Sequence, residues 1–343
     1  MNLVSNLAFF VFGVVAIWFS GAKLAIFADE IGERTKVSKA LIGALLLAIT
    51  TSLPEIITTI TASALDNPKL AVNNLIGGVP LQTCMLAVVD LFFVKGTSLS
   101  YLTPTVSLVL TGVFLIIQLG FIVFAYSFGE ITSIFGVGIW PIIFFAFYII
   151  MLKALHSHQN TEKWIPVDLP SKESPKKLPF QKNVTKISSQ RLGIYFFIAC
   201  IIVFVAGWDV AYFADILSMQ LGISSSFVGA TFVALATSLP ELSTTYGAIK
   251  IKAYTMAFAN IFGSNTLMMA VFLIADIAYR KGSIIASLDR PALLMAGSGI
   301  IVTCIYLWGI LDRKKKKILM MGFDSLIVLV VYILSLISLY MVS

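Results

Sequence analysis

The chain has 343 residues, of which 59% are hydrophobic and 12% are charged, and its mean hydropathy is +0.96. Apolar runs longer than the roughly 18 residues needed to cross a bilayer recur along it, which excludes an ordinary soluble globular protein. The runs are continuous rather than alternating, which argues against a transmembrane β-barrel. We therefore predict an all-α polytopic membrane protein.

Windows of about 20 residues, taken in chain order, predict ten transmembrane helices. We interpret the first as a retained helix and not as a signal peptide, because no basic segment precedes it. A polar segment, 155–192, is interpreted as a linker between two five-helix units, 1–154 and 193–343. The ten predicted spans are 6–28, 40–65, 70–93, 101–126, 132–153, 193–219, 223–249, 254–278, 291–311 and 319–341.

The net charge of +7 is distributed unevenly over the predicted loops. If the N-terminus lies outside, inner loops hold 19 of the 24 Lys and Arg residues, outer loops hold four, and Lys23 lies within the first span. This asymmetry predicts external N- and C-termini and a cytoplasmic linker in a cell membrane, and it explains the positive charge without a nucleic-acid partner. The basic run 313–317 is interpreted as a topology signal, with binding of anionic lipid head groups as the alternative.

The two units repeat one sequence. Shifting the chain against itself without a gap aligns TSLPE at 51–55 with TSLPE at 237–241, and 22 of the 70 positions in 27–96 are identical to their partners. Five spans is an odd number, so the second copy enters the membrane from the opposite side. The sequence therefore predicts an inverted-topology repeat, an architecture of secondary transporters that bind substrate where the copies meet.

Each TSLPE segment places a glutamate in an apolar span. An ionised carboxylate at bilayer depth costs several kcal/mol, so Glu55 and Glu241 are predicted to face a cavity or a partner, and pseudo-symmetry should bring them together. Pro54 and Pro240 each remove a helix hydrogen bond, which is tolerated at this depth only where the backbone lines a cavity or is buried in protein. Pairing of a glutamate with Lys23 is the alternative.

Hydroxyl and amide side chains surround these glutamates in the sequence. In the third and eighth spans, Gln82, Ser264 and Asn265 are candidate neutral ligands, or else interhelical hydrogen-bond donors. Gly77 and Gly263 are expected to allow close helix approach. Aspartates near span ends are expected to cap helices or face solvent; they are Asp29, Asp90, Asp215 and Asp276.

The two glutamates and the hydroxyl and amide side chains near them form a predicted cluster of hard oxygen donors. Such a cluster with two carboxylates suits Ca²⁺ and, less well, Mg²⁺. Two carboxylates balance one divalent ion, two Na⁺ ions or two protons, so competition for one site is sufficient to couple their transport. The predicted function is antiport of a divalent cation, with a passive cation channel as the rival. No catalytic constellation indicates an enzyme, no cofactor is expected, and a monomer is one state that the sequence leaves open.

Both copies carry the pattern G-x-x-x-x-A-x-x-T-S-L-P-E, at 43–55 and 229–241, and the second carries G-S-N at 263–265. With these motifs the sequence resembles the Ca²⁺:cation antiporter superfamily, most closely its sodium/calcium exchanger branch. The resemblance implies a core of spans 2, 3, 7 and 8 and sliding of spans 1 and 6. It also implies a set of ligands: the carboxylates of Glu55 and Glu241, the hydroxyls of Thr51, Ser52, Thr237, Ser238 and Ser264, and, for Na⁺, the carbonyls of Ala48 and Ala234.

The sequence departs from the family pattern at two places. In the third span the G-S-N motif is replaced by Gly77-Gly78-Val79, and Gln82 stands where the family usually has Asn. In the eighth span the acidic residue usual in sodium/calcium exchangers falls on Met268. These departures keep the carboxylate pair but remove donors associated with Na⁺. The counter-ion is thus left open between Na⁺ and H⁺, and Mg²⁺ or Mn²⁺ remains an alternative divalent ion.

Overall fold

The structure is a computed structural model, which describes residues 3–103, 105–158, 179–220, 234–315 and 317–342. The first repeat comprises α1 (Leu3–Thr35), α2 (Lys39–Thr51), α3 (Leu53–Ala64), α4 (Pro68–Phe93), α5 (Val106–Phe128), β1 (Ser133–Ile134), β2 (Val137–Gly138) and α6 (Ile139–Ser157). A short helix, α7 (Pro179–Val184), follows in the linker. The second repeat comprises α8 (Ser189–Gln220), α9 (Ala234–Thr237), α10 (Leu239–Lys250), α11 (Tyr254–Ala278), a 3-10 turn (Ile284–Ser287), α12 (Arg290–Asp312), β3 (Lys317–Ile318), β4 (Met321–Gly322) and α13 (Phe323–Val342).

Secondary structure follows the sequence repeat. α3 and α10 have the same length and begin at aligned positions of the two copies, and each follows a break at a serine. Within the described residues, eight helices are long and apolar enough to cross a membrane, and the bent pair α2–α3 makes a ninth. Part of the seventh predicted span, 223–233, lies outside the described residues. The all-α fold with two repeats agrees with the prediction.

The second predicted span is broken in the middle. α2 contains a π-helical turn at Ile42–Leu47 and ends at Thr51, and α3 leaves at an angle of 51°. Pro54 lies in the first turn of α3, where a missing backbone N–H costs no helix hydrogen bond. The proline therefore starts a new helix instead of kinking an old one.

α4 and α11 form the centre of the molecule. In each, 78% of the most apolar stretch is buried, against 17% in α1 and α13. Phe258 of α11 packs edge-on against Phe262 and against Tyr306 of α12. Helices that are buried along most of their length belong to an interior, whereas α1 and α13 expose apolar faces as lipid-facing helices do.

Two predicted spans begin later than expected. The fifth was predicted from 132 and the tenth from 319, but antiparallel hairpins occupy 133–138 and 317–322 and the helices begin after them. The turn residues Phe135, Gly136, Leu319 and Met320 all have positive φ, as the two central residues of a tight hairpin turn require. Three of the four are apolar, so hydropathy alone did not separate these hairpins from the helices.

The expectation for the aspartates was wrong at Asp90 and Asp276, which are 0% and 1% exposed. Both accept hydrogen bonds from main-chain amides of neighbouring loops. Asp29 is also buried and forms an ion pair with Lys39 at 2.9 Å. The side chain of Asp215 lies outside the described part of the structure.

Candidate cation-binding site

The two helix breaks place the same residues in the same local conformation. Ser52 and Ser238, at the breaks, have φ and ψ of −86° and 6° and of −88° and 2°. Glu55 and Glu241 follow in the first turns of α3 and α10. A helix N-terminus carries partial positive charge, so a carboxylate there is stabilised. Each repeat thus presents a carboxylate from the start of a helix.

Hydrogen bonds cross between the repeats at this point. Ser52 Oγ donates to Glu241 Oε1 at 2.9 Å and lies 3.1 Å from Ser264 Oγ. Ser238 Oγ donates to Glu55 Oε1 at 3.4 Å. The structure therefore brings together side chains from opposite halves of the chain, as pseudo-symmetry predicted.

The carboxylates are enclosed but not fully paired. Glu55 is 3% exposed and Glu241 is 0% exposed. In the described part of the chain, Oε2 of each glutamate has no hydrogen-bond partner. Lys23, the alternative partner from the sequence, is exposed. Because buried polar atoms are nearly always satisfied, two unpartnered carboxylate oxygens in one place indicate a position for a cation.

The threonines predicted as ligands place hydroxyl groups beside the glutamates, whereas the alanines were predicted to contribute backbone carbonyls. The hydroxyls of Thr51 and Thr237 lie beside the carboxylates of Glu241 and Glu55 respectively. Thr51 also donates to the Leu47 carbonyl at 3.0 Å, which leaves its lone pairs available. The Ala48 carbonyl accepts from the Ser52 amide at 3.1 Å. Ala234 begins α9, and its side chain lies outside what the structure describes.

The third and eighth predicted spans contribute unequally. Gln82 is fully buried, and neither its amide oxygen nor its amide nitrogen has a partner among the described residues. Gln82 Nε2 lies 3.8 Å from the position a β-carbon on Gly78 would take, so its side chain extends back toward the space beside that glycine. Met268, the repeat partner of Gln82, is 1% exposed and offers only a weakly accepting thioether.

Asn265 joins α4 to α11. Its amide nitrogen donates to Thr83 Oγ1 at 3.0 Å and to the Val79 carbonyl at 3.3 Å, so the interhelical hydrogen bond considered from the sequence is present. Its oxygen has no partner within the described ranges. Asn265 therefore connects the two central helices with one end of its amide and leaves the other end free to accept.

Asn74 and Asn260 occupy aligned positions of the two copies, and the structure gives them a role. Asn74 Nδ2 donates to Thr59 Oγ1 at 2.9 Å, and Asn260 Nδ2 donates to Thr244 Oγ1 at 3.0 Å. Each asparagine thereby holds a helix that carries a glutamate. Asn260 Nδ2 also lies 3.4 Å from Oγ1 of Thr245, the repeat partner of Thr59, so the Asn and Thr pair doubled at one offset was the signal that could have identified these contacts.

The charge in the candidate site comes from two carboxylates. Within the described ranges, no group of three or more His, Cys, Asp or Glu side chains could hold a metal ion. The site is therefore a pair of acids with neutral oxygen donors around it. Such a set suits a hard cation bound reversibly better than a permanently held transition metal.

Comparison with known proteins places the chain in a family. A family model described as sodium/calcium exchanger protein matches residues 5–154 and 192–341. An uncharacterized membrane protein of Methanocaldococcus jannaschii is 26% identical over 99% of both chains. The inner membrane protein YrbG of Escherichia coli is 25% identical over 78% of this chain and 77% of its own.

Solved structures agree with the family match at the level of fold. The sodium-calcium exchanger NCX_Mj soaked with Na⁺ and Sr²⁺ superposes with a TM-score of 0.72 at 21% identity, covering 98% of this chain and 99% of that one. The same exchanger soaked with Na⁺ and Ca²⁺ gives 0.71 at 20% identity, with the same coverage. The chain is an integral membrane protein and belongs to the sodium/calcium exchanger family.

Proposed function

We propose that this chain is a secondary active antiporter that exchanges Ca²⁺ for Na⁺ or H⁺ by alternating access. The observation that carries the proposal is the buried pair Glu55 and Glu241, contributed by two inverted repeats, in which one oxygen of each acid has no hydrogen-bond partner among the described residues. Membership of an exchanger family supports cation antiport and gives no reason to expect enzymatic chemistry.

A divalent cation fits the charge of this pair. One Ca²⁺ neutralises two carboxylates, and the surrounding hydroxyl and amide oxygens are the ligands that hard cations prefer. The proposed ligands are Glu55, Glu241, Thr51, Ser52, Thr237, Ser238, Ser264 and Gln82, with the backbone carbonyls of Ala48 and Ala234. Selection of Mg²⁺ or Mn²⁺ instead would require tighter, more regular coordination than this mixed set suggests.

Coupling follows from competition for the carboxylates. An empty site would leave two uncompensated charges in a low-dielectric interior, which disfavours a change of access without cargo. Either one divalent ion or two monovalent ions remove this cost. The same pair of acids can thus bind the transported ion and exclude its counter-ion at the same time.

The choice of counter-ion depends on the unequal donors near the site. Met268 and Gly78 provide no oxygen side chain where a Na⁺ ligand would be expected. A proton needs only the carboxylates themselves, so H⁺ is favoured by the loss of these donors. Na⁺ remains the alternative, with Gln82 and Ser264 as its neutral ligands.

The proposed setting is the cell membrane, with both termini outside and the linker in the cytoplasm. The loop charges support this orientation, because cytoplasmic loops carry excess Lys and Arg. Residues 1–154 and 193–343 would be the two repeats, 155–192 the linker, and the monomer the working unit. No cofactor is required, since the ions are cargo.

The test is uptake of radioactive Ca²⁺ into proteoliposomes under imposed Na⁺ or H⁺ gradients. Replacing Glu55 or Glu241 by glutamine should reduce gradient-driven uptake at least about 100-fold. Each change leaves one carboxylate, which neutralises only one of the two charges of a buried Ca²⁺ ion. Glu33→Gln, at an exposed position near the end of α1, is the matched control and should transport normally.

Three outcomes separate the candidates. Normal uptake in both glutamate variants would contradict the proposed site. Uptake that needs no counter-ion gradient and does not saturate would favour the passive channel. Saturable uptake of Mn²⁺ or Mg²⁺ but not of Ca²⁺ would keep the antiport mechanism and change its cargo.

A further inference from the structure

Two buried aspartates join the repeats at places far from the glutamates. Asp90, near the end of α4, accepts from the Leu99 amide through Oδ1 at 3.1 Å and from the Gly322 amide through Oδ2 at 2.7 Å. Leu99 belongs to the loop after α4, whereas Gly322 belongs to the β3–β4 hairpin of the second repeat. One carboxylate thus connects its own loop to the hairpin of the other half.

Asp276 makes the corresponding contacts in the second repeat. Near the end of α11, it accepts from the Ile284 amide through Oδ1 at 2.6 Å and from the Gly138 amide through Oδ2 at 2.7 Å. Gly138 ends the β1–β2 hairpin of the first repeat. The two aspartates occupy aligned positions of the two copies, so the duplication preserved a reciprocal connection in which each repeat holds the hairpin of the other.

Hydrogen bonds to a charged, fully buried acceptor are among the stronger ones in proteins. Both oxygens of each aspartate are occupied by main-chain amides, which cannot adjust by changing rotamer. The hairpins lead directly into α6 and α13, so these bonds also fix where the outer helices begin. We call the pair Asp90–Gly322 and Asp276–Gly138 the reciprocal clamps.

The clamped helices carry the neutral ligands of the candidate site. Gln82 and Asp90 lie on α4 about 12 Å apart along the axis, and Ser264 and Asp276 lie on α11 about 18 Å apart, at about 1.5 Å per residue. A helix whose buried carboxylate accepts from fixed main-chain amides of a loop and a hairpin resists sliding along its axis. The depth at which each helix presents its ligands is therefore fixed by its clamp.

We propose that Asp90 and Asp276 are positioning residues for ion exchange, because the reciprocal clamps hold α4 and α11 at the depth where their ligands meet the cation. This inference rests on the proposed function. The clamps act through the helices and touch no ion themselves.

The two clamps differ in charge. The Lys317 ammonium lies 3.4 Å from Asp90 Oδ1 and also donates to the Val94 carbonyl at 2.8 Å, and Ser325 donates to Asp90 Oδ2 at 2.9 Å. At the other clamp, Glu130 lies against Gly138 and accepts from the Ile139 amide at 2.9 Å and from Ser283 at 2.6 Å. Each clamp has a second acid beside it, Asp324 against Gly322 at the first and Glu130 at the second, and the Asp90 clamp is also supported by the Lys317 ammonium.

The experiment measures Ca²⁺ binding and hairpin opening in Asp90→Asn and Asp276→Asn. Asparagine has the same shape, but it loses the charge and turns one acceptor into a donor facing an amide N–H. We expect the Ca²⁺ concentration for half-saturation, from equilibrium dialysis of the purified protein, to rise about tenfold. Hydrogen exchange should accelerate at Gly322 in the first variant and at Gly138 in the second.

Asp66→Asn is the matched control. Asp66 also bonds a residue of the other repeat, Lys281, but both side chains are exposed. Since exposed ion pairs contribute little, Ca²⁺ binding and hairpin exchange should stay as in the parent protein. If Asp90→Asn does not fold, Ser325→Ala takes its place, because it removes one donor to the same carboxylate, and the expected rise in half-saturation is about threefold.

Faster hairpin exchange with unchanged Ca²⁺ affinity would overturn the positioning role and leave the aspartates purely structural. Unchanged exchange in both variants would overturn the clamps themselves. A parent protein that binds no Ca²⁺ would refute the proposed function first; the exchange measurement would then still decide whether the clamps exist, and the positioning inference would fall with the function on which it rests.

Discussion

The two repeats agree at the acids and differ around them. Both place Thr-Ser-Leu-Pro-Glu at a break between two helices. In both, the serine hydroxyl of this motif donates a hydrogen bond to the glutamate of the other repeat. The central helices differ at two aligned positions that lie about one turn apart. The first repeat has Gly78 and Gln82 there, and the second has Ser264 and Met268. The comparison separates a symmetric charge, set by the glutamates, from asymmetric neutral donors, which we propose decide which ions bind with it.

Packing around one of the repeated glycines is tight. A β-carbon on Gly263 would lie 2.3 Å from the Ala44 α-carbon, so the expectation of close helix approach is confirmed there. No atom of the described residues lies within 4 Å of a β-carbon on Gly77, but residue 230, which aligns with Ala44 in the other copy, lies outside the described residues. Close approach at Gly77 therefore stays a prediction.

The largest expected effect is on this packing. Gly263→Ala should destabilise the protein by about 3 kcal/mol or more, since the methyl group meets the backbone of Ala44, which cannot rotate away. Close approach at Gly77 predicts a loss of similar size for Gly77→Ala, its repeat partner. Gly297→Ala, in α12 where no described atom would meet the added methyl group, is the control and should be neutral or slightly stabilising, because alanine favours helix more than glycine. Thermal unfolding in detergent measures these changes; unchanged stability in Gly263→Ala would contradict the close packing, and unchanged stability in Gly77→Ala would restrict it to the second repeat.

A smaller effect is expected at the serines of the breaks. Ser52 contacts both Glu241 and Ser264, whereas Ser238 makes one longer bond to Glu55. Ser52→Ala should therefore raise the Ca²⁺ concentration for half-saturation about tenfold, and Ser238→Ala about twofold. Equilibrium dialysis with radioactive Ca²⁺ provides the values. A larger loss of Ca²⁺ affinity in Ser238→Ala than in Ser52→Ala would contradict this prediction.

The smallest expected effect concerns the counter-ion. Met268→Gln gives the second repeat the amide that the first has at Gln82, and the added oxygen should strengthen Na⁺ competition against Ca²⁺ binding about threefold. Met268→Leu is the control of similar volume without a donor and should change nothing. If glutamine also changes nothing, position 268 is too far from the ion to influence it.

Sequence analysis recovered the elements that carry a strong local pattern. The doubled TSLPE and the apolar runs predicted the repeat and the approach of Glu55 to Glu241, because a constant offset between two copies is visible without a structure. The start of a new helix at Leu53 was not predicted, since Pro54 was expected to remove a hydrogen bond within one span. The hairpins before α6 and α13 were missed, since Phe135, Leu319 and Met320 are apolar residues in turns that usually contain Gly or Asn.

The amino-acid sequence by itself determined a membrane-embedded, duplicated chain with one acid per copy, since hydropathy and internal identity are properties of the residues alone. Only the tertiary structure decided what surrounds those acids. Asp90 was expected to cap a helix or face solvent and is buried against Gly322, which belongs to the other repeat. Such contacts depend on how the two repeats pack together. The free energy of that packing is summed over many residues that are distant in the sequence, so no local sequence pattern specifies it.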